Sequence, residues 1–126
     1  MGLFDLFSRK KVGVSFSPTV ALSLATLTER HKNAAKAIFS PKERTGSQNL
    51  LMKLSEARKA LHQAESAAKI RDFEFAFENI DSARKNVQEY LEGIKAFPAL
   101  QPLQPEAGEI QKGIEKVSTR VLMSRV

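Results

Sequence analysis

His31 and His62 are the only histidines in this 126-residue chain, and histidine is the side chain best suited to proton transfer near neutral pH. A histidine base needs an orienting carboxylate, and a metal site needs further ligands at helical or turn spacing. Neither histidine has such company: no H-E-x-x-H occurs, and there is no cysteine. His31 falls on an apolar stripe and is expected at the boundary of a core. Asp72, Glu74, Glu78 and Asp81 gather in one stretch, and Glu74 and Glu78 lie four apart on one helix face. With no histidine beside them they read as a solvated face, or as a like-charge pair that takes a cation. No Gly-rich phosphate loop and no G-x-S-x-G turn is present; Gly46-Ser47 is an isolated turn signal. The residue types point away from an enzyme, a resident metal and any cofactor.

Chemistry of association is better represented. The chain opens MGLFDLFSRKK. At 100° per residue Leu3, Phe4, Leu6 and Phe7 fall within one sector, Asp5 points away, and Arg9, Lys10 and Lys11 follow. Two turns of helix do not persist alone in water, so the segment must dock on something. These seven residues are the expected contacts with a membrane surface or a hydrophobic groove. The order, apolar then basic, is the reverse of a secretory signal. Gly2 lacks the Ser or Thr at position 6 that myristoylation favours, since Leu6 stands there. No apolar run reaches the ~18 residues needed to cross a bilayer. A cytoplasmic protein, peripheral at the inner membrane face, is the expectation.

The segment MGLFDLFSRKK resembles the membrane-targeting start of bacterial division-site regulators of the MinE family, where a Leu/Phe-rich amphipathic stretch also runs into Ser-Arg-Lys-Lys. The likeness ends at Val12. It implies membrane contact for Leu3, Phe4, Leu6, Phe7 and Arg9 to Lys11.

Net charge is +6, unevenly spread. Residues 1–71 hold 13 Lys/Arg against 5 Asp/Glu, residues 72–92 hold 2 against 6, and residues 93–126 hold 5 against 3. The first part favours an anionic partner. Lys32 and Lys36 share a helix face that could track phosphates, but Glu29, Glu43, Glu56 and Glu65 interrupt the basic strip and no exposed aromatics interleave it. Nucleic-acid binding is therefore expected to be weak.

The elements behind these residues read as helices. Val12–Ser17 alternates apolar and small residues as an extended connector. Ser17-Pro18 starts a helix striped by Val20, Leu24, Leu27, His31, Ala34 and Ile38, expected to end near Phe39. A polar loop, 41–47, leads to a second helix from about Gln48 to Ile70. Asp72 caps a third, striped by Phe73, Ala76, Phe77, Ile80, Ala83, Val87, Leu91 and Ile94. The short turn between them demands an antiparallel hairpin. Residues 96–105 carry three prolines and read as a stiff extended linker. Its Pro102-Leu-Gln-Pro105 has the spacing of SH3 ligands, one that arises easily by chance. A last helix uses Ile110, Ile114, Val117 and Val121, weakened by Gly108 and Gly113, with a strand an open alternative for 117–126.

The expected fold is all-α: a small antiparallel helical bundle built on a central hairpin, its core resting on Phe, Leu, Ile, Val and Ala. The expected division is an amphipathic segment and connector over 1–16, a three-helix core over 17–96, a Pro-rich linker over 97–105 and a C-terminal helix over 106–126. Arg71-Asp72-Phe73 with Ala76, Ile80 and Ala83 resembles the second half of a tetratricopeptide hairpin, with Arg71 where that pattern has Gly, and is similar to MIT-type helical domains. The resemblance implies close hairpin packing by Phe73, Ala76, Phe77, Ile80 and Ala83. The functional expectation is a non-enzymatic interaction protein that docks a protein partner, or a second copy, through its bundle. Its N-terminal segment would dock on an anionic membrane surface or in a groove. The alternatives are a structural subunit with ordering arms and weak nucleic-acid binding.

Overall fold

Proline at the first position and an apolar residue every three or four make a helix of Pro18–Ala35, here α1. The computed structural model of the chain describes residues 18–125, so Ser17 and the connector before it lie outside the described residues. α1 stops four residues short of the expected Phe39. Lys36, Ala37 and Ile38 donate to carbonyls three residues back at 3.3, 3.2 and 3.0 Å, the tighter turn that often closes a helix. That turn swings Ile38 into the core and leaves Phe39 exposed.

α2 spans Pro41–Lys69, so the stretch expected as a polar loop is its first two turns. Ser40, extended as the residue before proline must be, turns its hydroxyl to accept from the Glu43 amide. Ser-Pro-Lys-Glu is thus a helix start, and it outweighs the ~1 kcal/mol that Gly46 costs inside the helix. α2 closes in a Schellman turn. The Arg71 N–H donates to the Ala68 carbonyl at 3.1 Å and the Asp72 N–H to that of Ala67 at 2.8 Å. Arg71 adopts φ 63°, the left-handed conformation usually left to glycine.

Asp72 caps α3, Phe73–Ile94, by accepting from the Phe75 amide at 3.2 Å. α2 and α3 form the central antiparallel hairpin and the most extensive helix interface. Short buried side chains permit it: Ala57, Ala60, Ala64 and Ala68 face Ala76 and Ala83 across the core. Gly93 goes further, since a Cβ there would lie 2.2 Å from Cδ2 of Leu50.

The proline-rich stretch is not an extended linker. Pro98–Leu103 is a 3-10 helix with Leu100 and Leu103 buried. The Gln101 amide donates to the carbonyls of Ile94 and Lys95, at 3.1 and 2.9 Å, closing the end of α3. Pro102 lies inside this turn and Pro105 in the first turn of the next helix, so the PxxP spacing has no polyproline conformation. α4 runs Gln104–Arg125 without interruption, and the strand alternative does not form over 117–125.

Arg30 pairs with Glu106, and Val20 closes on Gly113, which sets α1 antiparallel to α4. Arg84 pairs with Glu115 and Tyr90 lies within reach of the Glu106 charge, which sets α3 antiparallel to α4. The bundle therefore has one end made of the α2 C-terminus, the α3 N-terminus and the α4 C-terminus. One core draws on all four helices and the 3-10 helix, so residues 97–125 pack into the same body as 18–96. Its large members are Tyr90, leucines, isoleucines and valines. Among the described phenylalanines Phe73, Phe77 and Phe97 are half-buried and Phe39 and Phe75 exposed, so phenylalanine does not fill the core as expected.

Candidate interaction surface

Leu3, Phe4, Leu6, Phe7, Arg9, Lys10 and Lys11 lie outside the described residues. Of the hairpin set, Ala76, Ile80 and Ala83 are fully buried, while Phe73 and Phe77 pack half-buried against the core. The Arg71 guanidinium lies 5.0 Å from the Phe73 ring centroid, a cation–π contact. Glu74 and Glu78 are both exposed, as expected of a solvated face.

His31 is the residue the sequence placed least well. It is fully buried where a boundary position was expected. Its Nδ1 lies 2.8 Å from the Tyr90 hydroxyl, and its Nε2 lies 2.9 Å from the Ser47 hydroxyl and 3.1 Å from the Ser47 carbonyl. A carbonyl only accepts, so Nε2 carries the proton and Nδ1 accepts from Tyr90. One neutral imidazole thus joins α1, α2 and α3. Burial holds the His31 pKa below its ordinary value, with the Ser47 carbonyl pulling the other way. Burial, and then the charge of Glu106, push the Tyr90 phenol well above its usual range. The signal was available: a histidine in register with leucines, on a stripe that is otherwise apolar, must find partners if it is buried.

This cluster is closed. Its polar atoms are spent on one another, and no buried side-chain nitrogen or oxygen lacks a partner among the described residues. Among those residues no three His, Cys, Asp or Glu side chains gather as a metal-ligating set. A shallow surface cleft is lined by Lys85, Gln88, Glu89, Glu92 and Gly93, with Lys53 bound to Glu89 at 2.8 Å on its α2 side. That bond holds the Glu89 carboxyl below its ordinary range.

What the bundle offers outward is charge and isolated apolar side chains. Leu22 stands on the outer face of α1 and Met52 on that of α2. At the end formed by the hairpin turn and the α4 C-terminus the apolar residues gather: Ile70, Phe75, Leu122 and Met123 are all exposed. Lys69, Arg71, Arg120 and Arg125 belong to the same end. No described helix is long and apolar enough to cross a membrane. Among the described residues the bundle surface is the candidate site that carries exposed apolar and basic side chains together. Compared with family models, with curated proteins and with solved structures, the chain matches none.

Proposed function

We propose that the chain is a non-enzymatic helical interaction protein. Its bundle is a rigid platform for a protein partner, and its N-terminal segment docks on an anionic membrane surface, which places the protein on the cytoplasmic face of a membrane. The observation that carries this reading is the apolar sector Leu3, Phe4, Leu6 and Phe7 running into Arg9, Lys10 and Lys11, directly before a self-contained bundle. Each apolar side chain, fully covered, contributes about 1.5–3 kcal/mol. Each basic residue beside anionic headgroups adds about 1 kcal/mol. Lipid is favoured over an apolar groove because a groove makes no use of three consecutive cations. The reading of a structural subunit with ordering arms loses two of its supports, since the proline-rich stretch and the last helix are packed in the chain's own core.

Vesicle flotation tests the proposal. The full chain should float with vesicles containing phosphatidylglycerol and remain behind with pure phosphatidylcholine. Deletion of residues 2–11 should abolish flotation. Unchanged binding after that deletion refutes the membrane reading.

A further inference from the structure

We infer that the bundle itself carries a second membrane contact, the end formed by the hairpin turn and the α4 C-terminus, which lies against an anionic lipid surface together with the N-terminal segment. The inference rests on the membrane reading above and extends it from eleven residues to the orientation of the whole molecule.

Three observations lead there. The first is apolar exposure concentrated at one end: of the seven large apolar side chains exposed among the described residues, Ile70, Phe75, Leu122 and Met123 lie there, while Leu22 and Met52 stand on outer helix faces and Phe39 at the opposite end. Ile70 is 77% exposed at the hairpin turn and Met123 is 72% exposed in the last turn of α4, with Phe75 and Leu122 beside them. The Arg84–Glu115 pair sets the level of the two helices. Seven residues back along α3 is Phe77 and seven on along α4 is Leu122, two turns from the pair and at the same height. The second is charge. Lys69, Arg71, Arg120 and Arg125 are exposed in the same terminal turns. Four carboxylates share the end: Asp72 is engaged as the α3 cap, Glu74 and Glu78 lie on the face of α3 opposite its buried stripe, and Glu65 is half-buried one turn before Lys69. Arg71 holds a left-handed backbone in which glycine would be at ease, so a long cation stands there at a conformational cost.

The third is where the chain enters. Val20 meets Gly113, and α1 points its N-terminus toward the same end. From that height α4 continues about 18 Å further, so α1 begins near the level of the Arg84–Glu115 pair with its N-terminus directed toward the exposed apolar end. Two other occupants could cover it: the chain's own N-terminal segment, or a second copy. Charge decides against both. Arg9, Lys10 and Lys11 repel Lys69, Arg71, Arg120 and Arg125, and two copies meeting through this end bring the same cations together. One anionic surface satisfies both basic sets at once.

The chain has no cysteine, so single labelling sites are unambiguous. An environment-sensitive fluorophore attached through Met123→Cys should shift to the blue when phosphatidylglycerol vesicles are added, and a lipid-borne quencher should dim it. The same label through Met52→Cys, on the outer face of α2, should do neither. Ile70→Glu combined with Met123→Glu exchanges exposed side chains only, and should weaken vesicle binding of the full chain about tenfold with the helical circular dichroism unchanged. Binding that needs residues 2–11 but leaves the Met123 label in water, and is indifferent to the double variant, overturns this inference and leaves the membrane reading standing. A full chain that ignores vesicles overturns both. Tighter vesicle binding by the double variant means the N-terminal segment had been covering the end. A concentration-dependent dimer that the double variant abolishes assigns the end to a second copy. Either result also overturns the inference.

Discussion

Lowering the pH from 7.5 to 5 should destabilise the fold through one side chain, His31. The imidazole is neutral and fully buried, and burial holds its folded pKa below the ordinary value of 6.5. Below that ordinary value the unfolded chain takes up a proton that the folded chain refuses, so stability falls with falling pH until the folded pKa is reached. The slope has a limit of about 1.4 kcal/mol per pH unit for one proton. Protonation also breaks the pattern of donors. Nδ1–H would donate to Tyr90, whose own hydroxyl hydrogen then has no acceptor. Glu89, held low by Lys53, loses its contribution only below the ordinary carboxylate range and so outside this window. Urea midpoints at several pH values measure the slope. His31→Gln supplies the comparison, because an amide accepts from Tyr90 and donates to Ser47 without titrating. It should be less stable than the wild type at pH 7.5 and nearly flat between 7.5 and 5. Parallel slopes in the two proteins would refute the assignment of acid sensitivity to this imidazole.

Gly93→Ala puts a Cβ 2.2 Å from Leu50 Cδ2, and should cost about 1–3 kcal/mol as overpacking between α2 and α3, read from the urea midpoint. Pairing it with Leu50→Ala should recover part of that loss. Leu100→Ala, in a stretch that composition assigns to a linker, should cost about 2–5 kcal/mol because the side chain is fully buried; an unchanged melting temperature would return the stretch to the surface. Ser40→Ala removes the α2 cap and should cost about 1 kcal/mol. In amide hydrogen exchange α1 should open before the α2–α3 hairpin, since its interfaces are smaller and it joins the core through a single apolar stripe.

Much of this fold was legible as periodicity. The stripes Leu50, Leu54, Ala57, Leu61 and Ala64, and Ala76, Ile80, Ala83 and Val87, are buried in register, because a spacing of three and four leaves a helix only one face to hide. The misreadings share a cause: composition was given priority over local chemistry. Residues 41–47 look like a loop by their polarity, yet Ser40 and Pro41 are a start signal that tolerates polar residues on an outer face. Residues 98–103 look extended by their prolines, yet Leu100 and Leu103 are spaced to enter a core, which only a tight turn allows. His31 is expected at the core boundary although it shares a stripe with Leu24 and Leu27, and the register decides its burial. The seven N-terminal residues proposed to meet a membrane lie outside the described residues, and the exposed end was not legible at all. It depends on which helix termini come together, and that is set by long-range pairs such as Arg84–Glu115 and Arg30–Glu106.

The way the polar side chains are spent bears on function as much as any exposed residue. A catalytic or ligand-binding interior presents donors and acceptors to a cavity and leaves them short of partners until the ligand arrives. Here His31, Ser47 and Tyr90 satisfy one another, and the Asn79 amide donates to the Phe75 carbonyl at 3.0 Å within its own helix. Among the described residues this interior holds helices in place through polar groups that already have partners. On the outside three costly features share one end: large apolar side chains in water at Ile70 and Met123, and a left-handed backbone at Arg71, while Leu22, Phe39 and Met52 are exposed elsewhere. Each lowers the stability of the free molecule, and each can be compensated by a surface that covers hydrocarbon and attracts cations. Their placement at one end, toward which α1 carries the apolar-then-basic N-terminus, is what gives the bundle a direction.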